Sequence, residues 1–353
     1  MVNDNFGDVI QAKYWVDFYK QLGLEILFIC YPQGKDKCQK ILKLKENEIR
    51  TTSDFFSETN IQAGILHLYG GGYLNAMWSG DFIPIIEFAY KNNIKIIATG
   101  VQVDETFLER SKDYNIQYLS VRDQKSCNLT DCNLVADDSF AYFLSRKLFY
   151  DIAYFMSNIR LNRKVLLQIN MNSYVFDDQD LGQYMEVLRS LIRDLSEFYQ
   201  IEFASSFPPD ITDIKENKIL VDKLGLNAKQ YKYSISKQLD NRIFGGYELI
   251  IVNSFHTYLM LINKYCCPVY YLAYSKYYQQ KALGLRNYGL LPEDRLITKF
   301  EDLSRIPMQK LGSVKVLRRD EVTTPLLVHS HVKKKVMSYL NKKLAEMKTT
   351  QDQ

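Results

Sequence analysis

ELIIVNSFHTYLMLINK, residues 248–264, is the stretch that decides the fold. Glu248–Val252 is a short apolar run of strand length, and the chain behind it enters a helix over His256–Lys264. Between them lies a turn, Asn253-Ser254-Phe255-His256, in which both Asn253 and Ser254 are good helix N-caps. His256 falls in the first helical turn, where the helix field disfavours the charged imidazole. A histidine at the carboxyl end of a strand is well placed for acid–base chemistry, although a lone histidine there can also serve structure alone.

Moving outward, strand-length runs and helical patterns alternate in both directions. Towards the C-terminus follow a strand at Val269–Leu272 and a helix at Ser275–Leu283. Towards the N-terminus are strands at Val165–Ile169, Ile201–Ser205 and Tyr231–Tyr233, with a helix over Asp180–Tyr199 and another ending at Phe244. An earlier series reads the same way. Its strands are Leu24–Cys30, Gly64–Tyr69, Ile94–Thr99, Ile116–Val121 and Asn133–Ala136, and its helices are Val9–Leu22, Phe82–Asn92, Glu105–Lys112 and Gln124–Leu129. A helical stretch, Phe140–Arg163, separates the two series. Near-continuous apolar strands with helices between them indicate parallel sheets covered on both faces. The expectation is α/β: two Rossmann-like domains, residues 1–150 and 160–328, facing each other across a cleft at the carboxyl ends of their strands.

Residues 329–353 form a basic C-terminal helix and tail in which Val332, Val336, Tyr339, Leu340 and Leu344 recur at helical spacing. Two readings stand side by side: a helix packed on a domain with its lysines in water, or a helix touching anionic lipid headgroups.

The 353 residues carry a formal net charge of +4, well short of the basic stripe of a nucleic-acid binder. No apolar run approaches the roughly 18–20 residues needed to cross a bilayer, and the N-terminus has no secretory-signal pattern. The six cysteines, Cys30, Cys38, Cys127, Cys132, Cys266 and Cys267, contain no C-x-x-C pair. They read as reduced thiols of a cytoplasmic protein.

Three further stretches end strands. Gly70-Gly71-Gly72 follows a strand directly, where glycines let the backbone approach an anion; a plain tight turn is the alternative. Arg122, in Ser120-Val121-Arg122-Asp123, ends the next strand but one, where its planar fork could grip phosphate or carboxylate; the alternative is pairing with its own Asp123. Asp137-Asp138 could orient sugar hydroxyls or cap a helix, and no third ligand makes them a metal site. His67 lies mid-strand as a core histidine, and nothing ties His329 or His331 to a site. No G-x-S-x-G elbow supports a hydrolytic triad.

These stretches occur in an order that resembles the polysaccharide pyruvyl transferase family. The match runs from Asn5-Phe6-Gly7-Asp8 through Gly70–Gly72 with Tyr73-Leu74, Ser120–Asp123 with Ser126, Asp137-Asp138 and Ser254-Phe255-His256. It continues to Cys267-Pro268-Val269, Leu283-Gly284-Leu285 and Tyr288-Gly289-Leu290. The Ser-Phe-His triplet resembles one branch of the family. The resemblance implies a two-domain arrangement like that of GT-B glycosyltransferases. It also implies transfer of a pyruvyl group from phosphoenolpyruvate, as donor substrate and without a cofactor, onto two hydroxyls of a sugar in a surface or exopolysaccharide repeat unit. Arg122 and His256 are then the positions that meet the donor, with Gly70, Gly71, Gly72, Asn253, Ser254 and Lys276 as further donor contacts. Asp137 and Asp138 would face the acceptor, and Asp8, Asp137 and Asp138 are the candidates for the base its hydroxyls need. The acceptor is expected to be lipid-linked, at the inner face of the membrane.

Three positions depart from the family pattern. Ser254 stands where many members carry arginine. Tyr274-Ser275-Lys276 is one residue shorter than a familiar Tyr-Asp-x-Lys. The chain starts almost at the Asn-Phe-Gly-Asp loop, so a preceding strand is expected to be missing or short. Two other functions stay open: a glycosyltransferase-like enzyme taking a nucleotide sugar, and a non-catalytic binding protein of a polysaccharide assembly complex.

Overall fold

A computed structural model describes residues 6–57, 64–76, 79–114, 116–135, 137–139, 142, 164–170, 175–176, 181–205, 222, 229–234, 247–264, 268–306, 332–338 and 340–342. The chain divides into two compact units. One comprises Met1–Asn3, Asp8–Tyr142 and Thr323–Gln353, the other Asp4–Gly7 and Phe143–Val322. No helix among the described residues is long and apolar enough to cross a membrane.

In the first unit, α1 (Phe6–Gln21), which belongs to it from Asp8 onward, precedes a small parallel pair, β1 (Phe28–Cys30) and β2 (Ile49–Thr51), connected through α2 (Lys35–Leu42). A short α3 (Thr52–Ser57) follows. Then come β3 (Ile65–Tyr69), α4 (Ser79–Lys91), β4 (Lys95–Val101), α5 (Glu105–Ser111), β5 (Ile116–Val121), α6 (Gln124–Thr130) and β6 (Asn133–Leu134). The last four strands form a parallel sheet in sequence order. β4 is its centre: six of its seven residues are buried, as a strand covered on both faces requires. The starts of α5 and α6 follow from their caps. The Asp104 carboxylate accepts from the Phe107 amide, and that of Asp123 from the Ser126 amide.

The expected first strand, Leu24–Cys30, is paired only over Phe28–Cys30, because β2 offers three residues of partner. β2, α2 and α3 were not anticipated; a three-residue strand leaves no periodicity to read.

The C-terminal residues 332–338 and 340–342 are helical. Val332 and Val336 are buried against Trp15, Phe18, Ile97 and Val135. Lys333 lies over the Tyr14 and Phe18 rings, 4.6 and 4.7 Å from their centroids. Lys334, Lys335 and Lys342 are exposed.

In the second unit, β7 (Lys164–Gln168), α7 (Leu181–Ser196), β8 (Gln200–Ser205), β9 (Lys229–Ser234), β10 (Tyr247–Val252), α8 (Phe255–Lys264), β11 (Val269–Leu272), α9 (Lys276–Asn287) and β12 (Leu296–Ile297) follow in order. The strands form one parallel sheet, ordered β9-β8-β7-β10-β11-β12. In order of appearance that is 3-2-1-4-5-6, the doubly wound Rossmann order. The core follows from the pattern. β10 buries Leu249, Ile250, Ile251 and Val252, and α7 lays Tyr184, Leu188, Leu191, Ile192 and Leu195 against the sheet at spacings of four, three, one and three. Full burial of such side chains contributes about 1.5–3 kcal/mol each. At the opposite strand ends from the site, the buried Glu202 carboxylate is satisfied by Lys164 and the Tyr247 hydroxyl.

The strands expected around residues 165–169, 201–205, 231–233, 248–252 and 269–272 are all present to within two residues. β12 was missed, its two residues being too short for a pattern. The helix expected over Phe140–Arg163 lies outside the described residues apart from Tyr142. So do the helix ending at Phe244, and Cys266, Cys267, His329 and His331.

Candidate functional site

In a doubly wound sheet the strand order reverses once, and the crevice at the carboxyl ends of the two strands flanking that reversal is where ligands bind. Here those strands are β7 and β10. Their ends are tied together by Asn253. Its Oδ1 accepts from the Asn170 amide at 2.7 Å, its Nδ2 donates to the Asn170 carbonyl at 2.8 Å, and its own amide donates to the Gln168 carbonyl at 3.1 Å. The Ser254 amide donates to Gln168 Oε1 at 2.9 Å. The Asn253 side chain is thus spent on the scaffold, holding two loops in register.

Ser254 ends the turn and starts α8. Its carbonyl accepts from the Tyr258 amide at 2.9 Å, and its hydroxyl lies 3.5 Å from the Thr257 amide. His256 is then the second residue of α8 and is 8% exposed. Its ring meets Phe255 edge to face, with 5.3 Å between centroids. Against the ring also stands Gly7, in the first turn of α1 and grouped with this unit. A methyl group built there would overlap Nδ1, Cγ and Cε1 of His256. At the next strand end, Ser275 caps α9 by accepting from the Tyr278 amide at 3.3 Å, and Lys276 is exposed in that helix's first turn. The imidazole thus sits at the amino end of a helix beside the switch point, where backbone amides favour an anion and the ring can move a proton.

The carboxyl edge of the first unit's sheet gathers a different set. Gly70 and Gly71 have φ of +44° and +88°, which only glycine adopts without strain. The turn is clamped: the Gly70 amide donates to the Thr99 carbonyl at 2.6 Å, the Gly71 carbonyl accepts from the Gln102 amide at 3.0 Å, and the Gly72 carbonyl accepts from Asn75 Nδ2 at 2.8 Å. Arg122 is buried. One arm of its fork is ion-paired with Asp137 and the other donates to Gln102 Oε1 at 3.0 Å. The carboxylate it pairs with is therefore one strand further on, while the neighbouring Asp123 caps α6. Asp137 Oδ1 also accepts from Gln11 Nε2 at 2.8 Å and from the Ser139 amide at 3.0 Å. Gln11 in turn packs directly behind Gly70.

Asp138, beside it, is fully buried. Its Oδ2 accepts from Trp15 Nε1 at 2.8 Å and from the Thr99 hydroxyl at 3.0 Å. Burial pushes its carboxyl up to about 8, with the Asp137 charge adding to burial and the Trp15 and Thr99 hydrogen bonds working against it. Because Thr99 donates to Asp138, its oxygen is the acceptor for His67 Nε2–H at 2.8 Å, and His67 Nδ1 accepts the Tyr19 hydroxyl at 2.5 Å. Burial lowers the His67 imidazole to about 3, so it is neutral in this chain of hydrogen bonds. It is a satisfied core histidine. Asp8, half-buried in the first turn of α1, complements the helix dipole there.

Within the first unit, then, Gly70–Gly72, Arg122, Asp137 and Asp138 converge on one edge. Within the second, Asn253, Ser254 and His256 converge with Gly7. Gln11, Trp15, Thr99 and Gln102 complete the first group, and Gln168 and Asn170 the second. The sequence reading singled out none of these six. Gln102 and Asn170 follow their strands by one or two residues, the same signal that found Arg122. Gln11 and Trp15 sit on a helix and gave no such signal. Among the described residues no three His, Cys, Asp or Glu side chains gather to hold a metal ion.

The family model described as polysaccharide pyruvyl transferase matches residues 5–257, well over half of the chain and spanning both groups of residues. No curated protein matches the sequence.

Proposed function

The chain belongs to the polysaccharide pyruvyl transferase family, and we propose that it transfers the pyruvyl group of phosphoenolpyruvate to two hydroxyls of a sugar in a surface or exopolysaccharide repeat unit. The observation that carries this reading is His256, seated in the first turn of α8 beside the β7/β10 switch point. The reaction adds one proton to the donor's methylene carbon. It removes one from each sugar hydroxyl, forms two C–O bonds at the donor's C2 and breaks the bond to phosphate, the second proton leaving on the phosphate, to give a cyclic ketal and inorganic phosphate. His256 is cast as the acid at the methylene carbon. The α8 amides, Ser254 and Lys276 are cast as contacts for the donor's phosphate and carboxylate.

The first unit's edge is read separately. Gly70–Gly72 and Arg122 suit an anion, which Arg122 would meet by exchanging its Gln102 contact for the ligand while keeping Asp137. The carboxylates Asp8, Asp137 and Asp138 suit sugar hydroxyls. The acceptor is taken to be lipid-linked at an anionic membrane face, which Lys334, Lys335 and Lys342 would meet by charge, since the helix's apolar residues Val332 and Val336 are already buried.

Incubation with phosphoenolpyruvate and a panel of lipid-linked and free oligosaccharides tests the reading. Phosphate release together with a product heavier by one pyruvate ketal is expected. Thermal stabilisation by UDP or GDP, with none by phosphoenolpyruvate and no ketal product, would replace it with the nucleotide-sugar alternative.

A further inference from the structure

We infer that Gly7 is a positioning residue for His256, its missing side chain forming the seat that fixes the imidazole. The inference rests on the role proposed for His256. Gly7 lies one residue into α1, at a helical position where alanine is intrinsically preferred over glycine. Its φ does not lie in the left-handed region, so backbone conformation gives no reason for a glycine there. The reason is space. A single methyl group would fall inside contact distance of three ring atoms of His256, a ring that also meets Phe255 edge to face. Nδ1 is the ring atom nearest that methyl.

The ring has little room to yield. His256 is 92% buried by its neighbours' packing and is flanked on its own helix by Phe255, Thr257 and Tyr258, all buried as well. Even the smallest side chain at position 7 therefore has to displace the imidazole or the start of α1.

Three measurements on the full chain test the seat. Gly7→Ala should lower kcat by about 10²-fold, the loss expected for a roughly 1 Å displacement of a reacting group, with a far smaller change in KM. The ring ¹⁵N resonances of His256, assigned by their disappearance in His256→Ala, should shift in Gly7→Ala, and the acid limb of the pH–rate profile should move with them. The melting-temperature loss caused by Gly7→Ala should vanish in the His256→Ala background, because removing the ring removes the overlap; this arm also decides the matter if Gly7→Ala alone folds poorly. Wild-type kcat with unshifted ring resonances, or an equal melting-temperature loss in both backgrounds, overturns the seat. If His256→Ala itself retains full transferase activity, the proposed role of His256 falls, while the ring resonances and the melting-temperature cycle still decide whether Gly7 seats it.

Discussion

The Arg122 guanidinium is ion-paired with the Asp137 carboxylate across the ends of adjacent strands, and both side chains are almost fully withdrawn from water. The pair is part of the scaffold of the first unit's carboxyl edge. Removing one partner strands the other as a buried charge, so Asp137→Ala or Arg122→Ala should cost about 3–5 kcal/mol of stability, read as a lower urea midpoint at unchanged slope. Replacing both residues by Leu and Met should cost less than either single change. A double variant as unstable as the sum of the two singles would mean that the charges are satisfied separately.

His256→Ala should lower kcat for ketal formation by about 10²–10⁴-fold, the range expected for loss of a positioned acid. The melting temperature should change little by comparison, because a side chain at the amino end of α8 contributes little to the sheet core. Phosphate release from phosphoenolpyruvate in the presence of acceptor measures it. Undiminished turnover would move the acid elsewhere.

Asn253→Ala should destabilise the second unit by about 2–4 kcal/mol, since it removes both side-chain hydrogen bonds to Asn170 and leaves that residue's buried amide and carbonyl unmatched. Asn253→Asp keeps the acceptor and loses the donor, so it should be damaging too. Donor affinity should fall only as far as the turn loosens. A selective loss of phosphoenolpyruvate binding at full stability would make Asn253 a ligand contact in its own right.

Asp138 supplies a pH dependence whose sign follows from the raised carboxyl. In the unfolded chain the group loses its proton near 4, and in the folded state near 8. Between those values the folded state holds the extra proton. The contribution is therefore fully present below pH 4 and is lost as pH rises towards 8, at up to about 1.4 kcal/mol per pH unit. Asp138→Asn keeps an oxygen for Trp15 and Thr99 and removes the titration. The stability of wild type minus that of the variant, from urea melts at pH 5 to 9, should fall with pH and level off above 8. A flat difference would show that Asp138 is ionised throughout.

Membrane contact, if it guides the acceptor, should be electrostatic. Lys334→Glu/Lys335→Glu/Lys342→Glu should abolish sedimentation with phosphatidylserine-rich vesicles, and about 0.5 M salt should do the same to the wild type. Binding that persists in high salt would point to apolar insertion, which the packing of Val332 and Val336 against Trp15 and Phe18 argues against.

Much of the second unit was legible because its strands are continuous apolar runs. Leu249–Val252 and Val269–Leu272 are buried on both faces, and such runs can be read without knowing their neighbours. The short strands β2 and β12 were not legible, since two or three residues carry no period and exist only where a longer strand offers hydrogen bonds. Arg122 shows the same limit at a site. Its type and place at a strand end could be read, and its partner could not, because Asp137 is fifteen residues away in the chain.

By itself the sequence determined the class of fold, the ordered family motifs and the turn that holds His256. Each of these is written in local pattern: apolar runs, caps, and residue types that follow strands. Tertiary structure alone decided that β7 and β10 flank the switch point, that Arg122 is held by Asp137 and Gln102, and that Asp138 is a buried carboxyl with a raised pKa. It also decided that Gly7 lies against His256, 249 positions away along the chain. These are statements about which distant atoms share a volume. Burial, charge pairing and steric exclusion act through space, and no local pattern encodes them.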